Sequence, residues 1–199
     1  MSNILDAQYK TVMRQEELFA KRVVYHMRAN SPPPWWHHII PFRFMWEIIA
    51  RNKDLRNFSS KHLRLKEMAL SAACNGVKKN DLDRGRREMQ AQLRDFWAHE
   101  NQPEYQELYR LLSQWLDLLY RHYCRLLQTG QKDYGSMTRQ AYDSAEKYEQ
   151  FLSELLEVEK KVDRAVLDFT GLEKVSYIKN KQKAIQAVRD REMRELCLE

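Results

Sequence analysis

Apolar residues recur along this chain at intervals of three, four and seven, with few alternating or β-branched runs. That is the period of helices with one buried face. Leu5, Val12, Phe19, Val23 and Met27 follow intervals of 7, 7, 4 and 4 and predict a helix over 3–29, with Ser2 or Asn3 placed to cap it. Asn30 and the run Ser31-Pro32-Pro33-Pro34 end it, because proline cannot continue the ladder and forces extended geometry on its predecessor.

After a short turn or irregular stretch at 35–40 and Pro41, the pattern predicts a helix over about 42–57. Ser59 or Ser60 begins another, to about 78, with Leu63, Leu70, Cys74 and Val77 on one face and Asn75–Gly76 as a stop. Asp81 is placed to cap a helix to about 99 whose inward residues are Leu82, Met89, Leu93, Phe96 and Trp97; Gly85 weakens its first turns.

Pro103 opens the next helix, with Glu104 and Glu107 at the positive end of its dipole and Gly130 as a left-handed stop after Thr129. Its apolar face is wide: Leu108, Leu112, Trp115, Leu119, Tyr123 and Leu126, broadened by Leu111, Leu116, Leu118 and Leu127. A helix this apolar belongs at the centre of a bundle. Ser136 is placed to cap a single long helix to about Phe169. Along it Ala141, Ala145, Tyr148, Leu152, Leu155, Glu159, Val162 and Val166 alternate intervals of four and three, a heptad seam with one charge in it. Such a seam charge faces a partner or selects a register, or else fills a water-facing gap. A thinner pattern over 172–196 (Val175, Ile178, Ile185, Val188, Leu196) predicts a last helix beyond the hinge at Thr170–Gly171.

The fold expected is all-α: an elongated bundle of about six or seven helices, with two long central ones at 103–129 and 136–169. Residues 1–170 form the bundle, and 171–199 a basic helix that packs on it or projects. Composition agrees. Glycine and proline number five each in 199 residues, and 31% of residues are charged.

Charge is uneven. The net +6 divides into +7 over residues 1–78, −3 over 79–170 and +2 over 171–199. The basic excess coincides with the most aromatic stretch, "SPPPWWHHIIPFRFMWEIIARNK" at 31–53, and suits an anionic partner surface, lipid or nucleic acid. Burying each large side chain there contributes roughly 1.5–3 kcal/mol wherever it goes, so hydrophobicity alone leaves core, membrane surface and partner socket open. Tryptophans near its ends favour an interface between water and hydrocarbon. Arg43, Arg51 and Lys53 add about 1 kcal/mol each beside an anionic leaflet. Arg43 and Glu47 within the segment disfavour spanning a bilayer. The expected membrane or partner contacts are therefore Trp35, Trp36, Ile39, Ile40, Phe42, Arg43, Phe44, Trp46, Arg51 and Lys53.

Catalytic and metal chemistry finds little support. Cys74, Cys124 and Cys197 stand far apart without a CxxC pair, which fits reduced thiols in the cytosol. The N-terminus lacks the basic start and apolar block of a signal peptide. The expected localisation is cytoplasmic, peripheral at a membrane where segment 35–53 attaches. No Glu-x-x-His pair, HExxH or glycine-rich phosphate loop occurs, so no cofactor or metal is expected. His37–His38 are adjacent and on a helix point about 100° apart, too divergent to share an ion readily; an irregular loop before Pro41 would allow it. Asp95–His99 and His122–Cys124 are the remaining candidates for acid–base or nucleophilic work, but His122 and Cys124 leave their helix on roughly opposite sides.

Clustered cations in the last helix (Lys174, Lys179, Lys181, Lys183, Arg189) are candidate anion contacts, diluted by Asp190, Glu192 and Glu195. Arg84, Arg86 and Arg87 are flanked likewise by Asp81, Asp83 and Glu88. The expected function is a non-enzymatic helical adaptor or accessory subunit. It would attach to a membrane surface or membrane complex through 35–53 and offer its long helices to a protein partner or second copy. A nucleic-acid-associated protein using the basic tail is the first alternative; an enzyme without a short motif is the second.

Overall fold

A computed structural model describes residues 2–29, 63–97, 103–170 and 175–197. Among these the chain is an all-α bundle of seven helices without strands. They are α1 (Ser2–Ala29), α2 (63–79), α3 (Leu82–Trp97), α4 (Pro103–Gln128), α5 (Tyr134–Tyr142), α6 (Ala145–Thr170) and α7 (Val175–Cys197). No described helix is long and apolar enough to cross a membrane. The expected helix over 42–57 lies outside the described residues.

The wide apolar face makes α4 the centre. It packs against α1, α3, α5 and α6, and its leucines, Trp115 and Tyr123 enter the main core. The stripe of α1 is buried throughout: Leu5 and Val12 join that core, while Phe19, Val23 and Met27 form a second cluster with Ala184, Ile185 and Val188 of α7. The last helix thus lies along α1 and also against α6.

Three local predictions change. Helix α2 runs through Asn75–Gly76 and ends before Asn80, whose positive φ of 52° makes the left-handed exit, while the Asp81 amide donates to the Gly76 carbonyl at 2.9 Å. Gly76 serves close packing instead. A Cβ there would meet Tyr120 Oη at 2.7 Å, and one on Gly85 would meet the same oxygen at 2.6 Å and the Ala72 carbonyl at 2.7 Å. The two glycines let the α2–α3 hairpin close over Tyr120, which donates to the Leu82 carbonyl at 2.5 Å. Asp81 caps α3 as expected, accepting from the Arg84 amide at 2.9 Å, but Leu82 points outward.

The single helix over 136–169 is two. Asp133, not Ser136, caps α5, its carboxylate accepting from the Ser136 amide at 2.9 Å. Asp143 adopts left-handed geometry (φ 55°) and ends α5; Ser144 Oγ then accepts from the Lys147 amide at 3.3 Å and starts α6. Short polar side chains at 143 and 144 tolerate this break and cap it. The four–three spacing passes across the break unaltered, so the apolar pattern conceals it; Ala145 is exposed and Phe151 is buried in its place.

Candidate functional site: a buried polar layer

Charged residues sit on the apolar stripes of several helices, and the bundle brings them to one level. Glu16 of α1 falls between Val12 and Phe19, and Lys66 of α2 between Leu63 and Leu70. Both are buried, Lys66 to 4% exposure. Lys66 Nζ donates to Glu16 at 2.5 Å, and Tyr123 Oη of α4 donates to the other carboxylate oxygen at 2.7 Å. A second set lies beside it. Glu159 of α6 accepts from Trp115 Nε1 of α4 at 3.3 Å and from Arg189 Nη2 of α7 at 2.9 Å. The Phe19 ring links the two, with Lys66 Nζ 4.6 Å and the Arg189 guanidinium carbon 5.8 Å from its centroid.

Of the expectations for a seam charge, the placement of Glu159 fits the selection of a register. It meets α4 and α7 of its own chain, inside the bundle. Its Oε2 and Arg189 Nη1 have no protein partner. Further along, Asp163 receives both Lys181 and Gln182, the latter at 3.1 Å.

Glu192 of α7 completes the layer, accepting from Gln15 Nε2 at 3.5 Å. Burial, and next the neighbouring Glu16 charge, hold its carboxyl above the ordinary range. Burial likewise pushes the Tyr123, Tyr134 and Tyr148 phenols well up. His122 stacks on Phe151 with centroids 4.5 Å apart, and its Nδ1 lies 2.7 Å from the Tyr142 hydroxyl. Burial, then the charges of Lys66 and Arg125, depress it to about 3, so it stays neutral at pH 7. Cys124 is pushed up to about 11 by burial, which keeps its thiol protonated.

What this arrangement can do is limited by room. The cavity bordered by Glu16, Lys66, His122, Tyr134, Tyr148, Arg189 and Glu192 has a volume of ≈ 30 Å³. Space for one water is about 10–15 Å³ and ligand sites run about 300–1,000 Å³, so this one admits a water or two and no substrate. Removing one member of a buried pair typically costs about 3–5 kcal/mol, so the layer fixes helix register strongly. Among the described residues no cluster of three or more His, Cys, Asp or Glu has metal-binding geometry.

The sequence-predicted contacts fall in three groups. Trp35 through Lys53, and Lys174, lie outside the described residues, as do His37, His38 and His99. Lys179 and Lys183 are exposed on α7. Lys181 and Arg189 pair with Asp163 and Glu159 of α6, Arg189 being buried. Of the other basic cluster, Arg84 pairs with Glu88 at 3.0 Å and Arg86 with Asp117.

Sequence reasoning missed Glu16, Lys66, Tyr134, Tyr148 and Glu192. For Glu16 and Lys66 the signal existed, since each fills a gap in an apolar stripe. Nothing in one stripe says which charge meets which. No protein-family model matches this chain, and no curated protein or solved structure is significantly similar to it.

Proposed function

We propose that this chain is a non-enzymatic helical adaptor or accessory subunit, held to a membrane surface or membrane complex by residues 35–53. Its helices would then present a surface to a protein partner or a second copy. The observation that carries the non-enzymatic part is the closed interior. The perturbed groups there face one another around ≈ 30 Å³, and two buried titratable side chains of α4, His122 and Cys124, are displaced to about 3 and about 11. The attachment part rests on sequence: three tryptophans and three cations (Arg43, Arg51 and Lys53) within one apolar segment, in the part of the chain with the +7 excess. The nucleic-acid alternative loses Lys181 and Arg189 from the basic tail it would use.

Flotation with anionic and neutral liposomes tests the attachment. Wild type is expected to float with anionic vesicles, and a Trp35, Trp36, Trp46→Ser variant with unchanged circular dichroism is expected to stay in solution. Wild type that remains in solution with both vesicle types would refute membrane attachment.

A further inference from the structure

Among the described residues, surface grooves that flank α6 differ in their charges. The α6–α7 groove (≈ 490 Å³) has Glu149 and Asp190 on its rim against Arg194, with Arg189 already committed to Glu159. The outer α4–α6 groove (≈ 550 Å³) sets Asp117, Glu154 and Glu157 against Arg121 and Lys161. The third, where α4, α5 and α6 meet, encloses ≈ 400 Å³ and is lined by Arg121, Arg125 and Lys147 against Glu154 alone. It falls within the size range of small-molecule sites.

The cations of this groove are arranged rather than scattered. Arg121 and Arg125 lie one turn apart on the same face of α4, where like charges repel. Two carboxylates near the groove are already used: Asp117 by Arg86 and Gln90, Asp143 by Lys147. Among the described residues neither arginine forms an ion pair. Arg125 is held over the Tyr142 ring at 5.4 Å, and Arg121 Nε is directed to the Asp117 carbonyl at 3.4 Å. Two guanidinium forks on one face suit a phosphate, whose oxygens accept paired N–H donors. The α6 wall is different in kind. Gln150 donates to Glu154 at 3.1 Å, leaving the pair acceptors suited to hydroxyl groups.

We propose that this groove binds a phosphorylated polyol or sugar, with Arg121 and Arg125 on the phosphate, Lys147 (paired with Asp143) at the rim, and Glu154 with Gln150 on the hydroxyls. The site is independent of the attachment role of residues 35–53.

Isothermal titration of the full chain at low ionic strength tests it, with glucose 6-phosphate, inorganic phosphate and glucose as probes. Glucose 6-phosphate is expected to bind more tightly than inorganic phosphate, and glucose to give no signal. Arg121→Gln with Arg125→Gln should weaken glucose 6-phosphate by about tenfold or more, given the strength of hydrogen bonds to charged groups. Lys147→Gln should weaken it less, and circular dichroism should be unchanged in each. Glu154→Gln should narrow the gap between glucose 6-phosphate and inorganic phosphate. No heat from either phosphate would overturn the proposal, as would wild-type affinity in the double arginine variant, which would move the anion to another surface such as Lys179 and Lys183. Equal affinity for the two phosphates would overturn the polyol part.

Discussion

Glu16–Lys66 and Glu107–Arg110 are the same kind of pair at nearly the same distance, 2.5 and 2.6 Å, in two different solvents. The first joins α1 to α2 inside the bundle, with side chains 11% and 4% exposed. The second lies within one turn of α4 with both side chains more than half exposed. Water screens the outer pair and competes for its hydrogen bonds. The inner pair is largely withdrawn from solvent, so each charge depends chiefly on the other and on Tyr123. What differs is the penalty for breaking it. An ion pair far apart in sequence and buried specifies which helices meet; one within a single turn specifies nothing beyond that turn.

Removing one inner partner is therefore expected to have the largest effect. Lys66→Met leaves the Glu16 carboxylate buried with only Tyr123 as donor and should destabilise the bundle by about 3–5 kcal/mol, read from urea denaturation midpoints. Glu16→Leu combined with Lys66→Met should recover much of that loss, because two apolar side chains need no counter-charge. A double variant as unstable as the sum of the singles would show that the two charges are not coupled.

Close packing at the α2–α3 hairpin comes next. Alanine in place of an exposed helical glycine gains up to about 1 kcal/mol. Gly85→Ala should reverse that sign, losing about 1–3 kcal/mol, since its Cβ would enter within 2.7 Å of the Ala72 backbone carbonyl. A raised melting temperature would mean the hairpin can open without loss.

The third effect is set by pH. The Glu192 carboxyl is raised above its unfolded value, so its contribution is fully present below the unfolded pKa, near 4.5, and is lost as pH rises through the folded value. Each pH unit of displacement corresponds to about 1.4 kcal/mol. Glu192→Gln removes the charge beside Glu16. The variant should melt higher than wild type at pH 8, and the two should converge toward pH 4. A difference that persists at pH 4 would assign the effect to packing.

The comparison also explains how far the sequence could be read. The apolar stripes of α1 and α4 gave their helices and their buried faces, because burial of a stripe leaves a periodic trace in one segment. Gly130 gave the end of α4, and it does adopt left-handed geometry with φ 73°. The break at Asp143–Ser144 was not legible, since the heptad spacing continues across it and only backbone geometry marks it. Nor was the layer. Glu16, Lys66, Glu159 and Arg189 each look like a defect in a stripe, and their pairing depends on which faces meet, a property of two helices at once. The basic tail misled for the same reason: Lys181 and Arg189 read as surface cations until α6 supplied Asp163 and Glu159.

The smallest expected effect sharpens the comparison most. Arg110→Gln breaks an outer pair whose hydrogen bond to Glu107 holds that carboxyl below its ordinary range, as Lys160 does for Glu157. All the geometric signs of a strong interaction are present, including two short contacts from one guanidinium at 2.7 and 2.6 Å. Solvent nonetheless surrounds both side chains, and ordering two long flexible groups offsets the attraction. The denaturation midpoint should not move measurably, in low salt or in high. If Arg110→Gln lowered it as Lys66→Met does, distance would matter more than burial, and the contrast between the two pairs would collapse. If only the inner variant responds, the stability of this bundle is set where charge lies out of reach of water.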